Sequence, residues 1–136
     1  MKQDGENNKM SGAVLLVEDD ESARLVLGRA LEKEGYTVFT AQNGADGLQL
    51  ALLKHPDVII VDLLLPVMSG RDMIAEIRKD SWGKDAEIII LTNVVDTKTS
   101  EGPMNQHELF YMVKGDSSMA DVITKVNSRV QARAQS

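Results

Sequence analysis

The chain is 136 residues long, the size of one ordinary domain, and sets 15 Lys and Arg against 21 Asp and Glu for a net charge of −6. That acidic balance argues against a binder of phosphate backbones, so no direct nucleic-acid contact is expected. The absence of cysteine excludes thiol catalysis, disulfide cross-links and Cys-ligated zinc. Hydrophobic residues at 43% and charged residues at 26% are an ordinary globular mix, which argues against wholesale disorder.

Residues 1–12 (MKQDGENNKMSG) read as a polar tail with no signal-type apolar core. AVLLV (13–17) is a buried-strand candidate. ESARLVLGRALEKEG follows as a helix with Ala23, Leu27, Ala30 and Leu31 on one face and Gly35 as its stop. YTVFTA (36–41), rich in β-branched and aromatic residues, predicts a second strand. A helix then opens at the Asn43 cap and closes before Pro56, with Leu48, Ala51 and Leu52 inward.

DVIIVD (57–62) predicts the third strand, and LLLPVMSG a loop holding Pro66 and Gly70. Ser69-x-x-Asp72 resembles a capping box before a helix with Met73, Ile74 and Ile77 inward. AEIIILT (86–92) and LFYMVK (109–114) are the fourth and fifth strands. Between them, residues 94–107 hold Gly102-Pro103 and no helical stripe, so at most a weak or irregular helix is expected there. Ser118-x-x-Asp121 caps a last helix whose stripe is Met119, Val122, Ile123, Val126 and Val130. No apolar run approaches the roughly 20 residues of a membrane span, so no membrane contact is expected.

Alternation of apolar strands with helical crossovers predicts an α/β fold: a doubly wound, five-stranded parallel sheet covered on both faces. The folded part is expected to be one domain over 13–131, with 132–136 a short tail. In such sheets ligands bind beyond the carboxyl ends of the strands. Those ends are Glu18-Asp19-Asp20, Asp62, Thr92 and Lys114.

Carboxylates brought together at one rim repel by roughly 4 kcal/mol per pair at an effective dielectric of about 20. A hard divalent cation lets all of them stay ionised, and Mg²⁺ suits the set because it takes oxygen ligands and keeps waters that a phosphate can replace. A lysine and a threonine hydroxyl beside it are donors for phosphoryl oxygens. The assembly therefore points to phosphoryl transfer with a carboxylate nucleophile, for which Asp62, alone at the end of the central strand, is the best placed. Neither a Walker A loop nor G-x-G-x-x-G occurs in the chain, so nucleotide-binding folds of those types are excluded.

Four segments in order, VEDD (17–20), DLLLPVMSG (62–70), ILT (90–92) and YMVK (111–114), resemble the receiver domain of bacterial two-component response regulators, including the 22 residues from Thr92 to Lys114. The resemblance covers nearly the whole folded chain and implies a flavodoxin-like (βα)5 fold of the stand-alone, single-domain type. It implies that Asp62 is the phosphoacceptor for a histidine kinase or phosphotransfer protein. Asp19 would be a direct Mg²⁺ ligand, Glu18 the acid before it, and the Leu64 backbone carbonyl a further ligand. Pairing Glu18 with Asp19, rather than Asp19 with Asp20, keeps the spacing to Arg24. Thr92 would supply the hydroxyl that turns toward the phosphoryl group, Lys114 the pairing ammonium, and Tyr111 the aromatic switch that follows Thr92. Such a protein is a cytoplasmic regulator that catalyses only its own phosphorylation and dephosphorylation, and it signals through a downstream protein partner.

Three features depart from the pattern. Gly115 stands where proline usually follows the lysine, which predicts a trans bond, since a non-proline cis bond costs about 3 kcal/mol. Asn93 replaces the usual small residue after the threonine, and 94–107 lacks the fourth helix's stripe. Taken singly, the acids at 18–21 also read as a helix cap, Thr92 as a strand-end residue and Lys114 as a turn lysine. Two other functions compete: a degenerate receiver that binds a protein independently of phosphorylation, and an aspartyl-phosphate hydrolase. The hydrolase ranks last, because Leu64 stands where its acid/base aspartate would be.

Overall fold

A computed structural model describes residues 11–93 and 109–134. The elements run β1 (Ala13–Val17), α1 (Glu21–Glu34), β2 (Thr37–Ala41), α2 (Gly44–Lys54), β3 (Val58–Val61), α3 (Gly70–Lys79), β4 (Ile88–Thr92), β5 (Leu109–Val113) and the last helix, α4 (Met119–Ala134). The strands form one parallel sheet in the order β2-β1-β3-β4-β5, the expected flavodoxin-like arrangement. The expected irregular connection at 94–107 lies outside the described residues. No helix among the described residues is long and apolar enough to cross a membrane.

Both faces of the sheet are buried, which is why its strands read as unbroken apolar runs. Leu15, Val17, Ile59, Val61, Ile88 and Ile90 point to one side and pack against Ala51 of α2 and Met73 and Ile77 of α3. Their neighbours Val14, Leu16, Val58, Ile60, Ile89 and Leu91 point to the other, against Leu27 and Leu31 of α1 and Val122 and Val126 of α4. Two dry layers on a twisted parallel sheet are the usual stable solution for such a pattern.

Local chemistry sets the helix ends. The Asp20 side chain accepts from the Ala23 amide at 3.3 Å, and Gly35 closes α1 in the left-handed region (φ 111°). Asn43 and Ser69 cap α2 and α3 in the same way. Ser118 and Asp121 cap each other's amides reciprocally, at 3.0 and 3.1 Å, as the spacing predicts.

The structure corrects several details. Tyr36 lies outside β2, because its amide donates to the Leu31 carbonyl at the end of α1. Leu52 is exposed rather than inward: α2 meets the sheet through Gly44, Gly47 and Ala51, with Leu48 and Leu50 packed against the same core, and Leu52 and Leu53 face outward. A Cβ on Gly47 would come within 2.9 Å of the Val17 side chain. Met119 is also exposed, so the buried stripe of α4 begins at Val122. That helix continues past residue 131 to Ala134, with Arg133 donating to the Asp85 carbonyl at 3.3 Å. Lys114 opens a short 3₁₀ turn instead of ending β5, and no cis peptide bond occurs among the described residues.

Candidate functional site

Strand register brings the polar strand ends together. Val17 of β1 pairs with Val61 of β3, so Glu18 and Asp62 leave the sheet side by side, and the Asp62 amide donates to the Val17 carbonyl at 3.2 Å. Thr92 of β4 pairs with Val113 of β5, which places Lys114 at the same rim. Because β1 leads outward to β2 and β3 leads the other way to β4, the rim lies at the switch point of the sheet, where crevices form.

Asp62 is buried and its carboxylate is fully engaged. Oδ1 accepts from the Thr92 hydroxyl at 2.7 Å and from the Leu64 amide at 3.1 Å, and Oδ2 accepts from Lys114 Nζ at 3.1 Å. Lys114 Nζ also donates to Glu18 Oε1. Burial works against the ammonium's charge, but the hydrogen bonds and charges of Glu18 and Asp62 outweigh it and hold the Lys114 pKa above its ordinary value. Thr92 is fully buried, so its hydroxyl hydrogen bond is made away from water.

Glu18 is likewise held at every polar group. Its amide donates to the Ala41 carbonyl at 3.0 Å, its Oε2 accepts from the Asp20 amide at 3.1 Å, and its carbonyl accepts from Arg24 at 2.9 Å. Asp19 is exposed and points one carboxylate oxygen at the group: single oxygens of Glu18, Asp19 and Asp62 lie within 4.8 Å of one another. Among the described residues, three negative groups thus face one ammonium. An all-oxygen donor set with uncompensated negative charge fits a hard divalent cation such as Mg²⁺.

The loop after Asp62 folds tightly beneath the site. A Cβ on Gly70 would lie 2.1 Å from the Asp62 carbonyl oxygen, and one on Gly44 would lie 2.0 Å from the Met68 carbonyl oxygen. Only glycine permits both approaches. Between them the Met68 amide donates back to the Pro66 carbonyl at 2.7 Å around Val67, whose φ of 70° is uncommon for a β-branched residue.

Of the residues singled out from the sequence, Glu18, Asp19, Asp62, Thr92 and Lys114 converge, and Leu64 joins through its amide. Tyr111 stands apart on the edge strand β5, opposite Ile90 and more than a third exposed. Asp20 is not a further site acid but the cap of α1. Sequence reading used Arg24 only as a spacing marker and missed its hydrogen bond to Glu18. It also missed the buried Glu87–Arg129 ion pair at the opposite end of the sheet, where Arg129 Nε and the Glu87 carboxylate lie 2.8 Å apart. Nothing in the spacing links residues 87 and 129, 42 positions apart.

The fold and rim define an acidic, oxygen-donor site at the switch point of a flavodoxin-like sheet, with a threonine hydroxyl and a lysine on its buried carboxylate. A sequence model of the response regulator receiver domain matches residues 14–127, and the chain belongs to that family. The transcriptional regulatory protein AfsQ1 of Streptomyces coelicolor is 38% identical over 80 residues, 59% of this chain and 34% of that one. The matched part of this chain spans about a third of the length of several curated regulators. Among solved structures, the chemotaxis protein CheY4 of Vibrio cholerae is 27% identical, with a TM-score of 0.78 over 88% of this chain and 98% of that one. The receiver domain of the sensor histidine kinase PA1611 of Pseudomonas aeruginosa, solved with a magnesium ion coordinated in its active-site cleft, is 25% identical. Its TM-score is 0.79 over 90% of this chain and 99% of that one.

Proposed function

We propose that the protein is a phosphoacceptor switch in which Asp62 takes a phosphoryl group from the phosphohistidine of a histidine kinase or phosphotransfer protein. The observation that carries this reading is the paired engagement of one buried carboxylate by the Thr92 hydroxyl and the Lys114 ammonium, with Glu18 and Asp19 at the same opening. Transfer breaks the N–P bond, whose electron pair stays with the leaving imidazole, and forms a bond from an Asp62 oxygen to phosphorus.

Glu18, Asp19 and Asp62, with the Leu64 carbonyl, would hold Mg²⁺, which when bound neutralises charge developing on the phosphoryl oxygens. Lys114 offers its ammonium to one such oxygen once Asp62 no longer carries the full negative charge. Thr92 exchanges its hydrogen bond to Asp62 for one to the phosphoryl group. That movement opens space toward β5, where Tyr111 reorients and changes the surface offered to a downstream protein partner. Catalysis is confined to the protein's own phosphorylation and dephosphorylation, and the expected cellular setting is the cytoplasm.

A phosphorylation-independent binding module draws no support from a site with every polar group in place. One matched relative is by name a transcriptional regulator, so the charge of −6 bears on this domain's own surface and not on what a longer relative does.

The test is incubation with a small-molecule phosphodonor and Mg²⁺, read by intact-mass spectrometry. Wild type gains one phosphoryl group and Asp62→Asn gains none. Labelling of the Asn variant to the wild-type extent overturns the assignment.

A further inference from the structure

Residue 19 is the most exposed of the three clustered acids, yet its backbone is set from both sides. On its C-terminal side Asp20 is anchored twice, as the cap of α1 and through its amide to Glu18 Oε2. On its N-terminal side the peptide joining Glu18 to Asp19 has its carbonyl held by Arg24 Nη1 at 2.9 Å. Arg24 is itself fixed, because it lies in the first turns of α1 and its amide donates to the Asp20 carbonyl at 2.9 Å. The guanidinium reaches back over its own helix start and clamps the loop that carries the acids.

A guanidinium in that place has no electrostatic reason to favour a divalent cation, since like charges repel. What it supplies is orientation. A hydrogen bond to a carbonyl from a charged donor is among the stronger ones, and this one sets the plane of the peptide from which Asp19 projects. We infer that Arg24 is a positioning residue: by holding the Glu18 carbonyl, it aims the Asp19 carboxylate into the site and so tunes the site for Mg²⁺. The inference rests on the metal reading of Glu18, Asp19 and Asp62 given above.

Mg²⁺ demands near-octahedral geometry, whereas Ca²⁺ tolerates irregular coordination and longer bonds. Loss of aim therefore weakens Mg²⁺ more than Ca²⁺, while a general loosening weakens both alike and loss of a repulsive charge strengthens both. Titration of the full chain with Mg²⁺ and separately with Ca²⁺, followed by amide NMR shifts, distinguishes these cases. Arg24→Ala is expected to lose about tenfold in Mg²⁺ affinity, as outer-shell partners of metal ligands commonly do, with a much smaller loss for Ca²⁺. Arg24→Lys, which keeps a charged donor, is expected to recover most of the Mg²⁺ affinity. Thermal unfolding of the metal-free variants records any loss of fold.

Equal weakening for both ions, unchanged binding or tighter binding in Arg24→Ala overturns the inference. Wild type and Asp19→Asn separate the two levels. If wild type binds no Mg²⁺, or Asp19→Asn binds it equally well, the metal reading falls and the inference with it. If those controls behave and Arg24→Ala matches wild type, the inference alone falls.

Discussion

Lys114→Met removes the ammonium that, among the described residues, touches both buried carboxylates, with little change in side-chain length. Glu18 and Asp62, each less than a tenth exposed, then face each other with no cation between them. At the 4.8 Å limit of the acid cluster their repulsion amounts to roughly 3.5 kcal/mol at an effective dielectric of about 20. Relief from desolvating the lysine offsets part of this, and breaking a buried pair by removing one partner typically costs about 3 kcal/mol. For a domain of this size that is about 2 M in urea midpoint. The lysine's own contribution has a definite pH dependence. The pKa of Lys114 is raised in the fold, so its contribution is complete below the ordinary lysine value and is lost only as pH rises through the folded one. Added Mg²⁺ stabilises the variant more than wild type, because the cation takes over the neutralisation. Urea unfolding at pH 7 and at alkaline pH, with and without Mg²⁺, checks these statements. An unchanged midpoint at pH 7, or a gap that Mg²⁺ leaves untouched, refutes the charge argument.

Two further outcomes concern regions away from the site. Arg129→Met strands the buried Glu87 carboxylate, which the guanidinium grips at 2.8 and 3.1 Å, and costs about 3 kcal/mol by urea unfolding, with phosphorylation of Asp62 unaffected. A double-mutant cycle with Glu87→Gln that shows no coupling would sink that estimate. Tyr36 is raised to about 12 by burial and by the charges of Glu34 and Asp57. Its protonated form is thus the one the fold prefers: its contribution is whole below pH 10 and is lost as pH rises toward 12. Ultraviolet titration should find this tyrosine ionising late, and Tyr36→Phe should unfold less steeply between those pH values than wild type.

Where the sequence was legible, one physical reason recurs: the property was written in local periodicity. The strands are apolar on both faces because both faces are covered, and caps such as Ser118 with Asp121 need only a three-residue spacing. What escaped was set by packing between distant segments. Leu52 reads as inward on helical spacing, but helix α2 approaches the sheet through glycines, which no hydrophobic pattern registers. Glu87 is only a residue of the AEIIILT run in the sequence, and its partner appears when α4 brings Arg129 across to it.

The rim was legible for a different reason. In a parallel sheet the residue after each strand must emerge at the same edge, so the positions of Glu18, Asp62, Thr92 and Lys114 follow from strand assignment plus register alone. Their hydrogen bonds did not follow. Lys114 reaches Glu18 as well as Asp62 from a 3₁₀ turn in which Gly115 stands in the place of proline. Asp20 and Arg24, close in sequence to the acids, are engaged in holding them rather than in adding to their number. Within Glu18–Arg24 the sequence pattern therefore identifies a charged cluster, and only the three-dimensional hydrogen-bond network separates the groups that face a ligand from those that aim them.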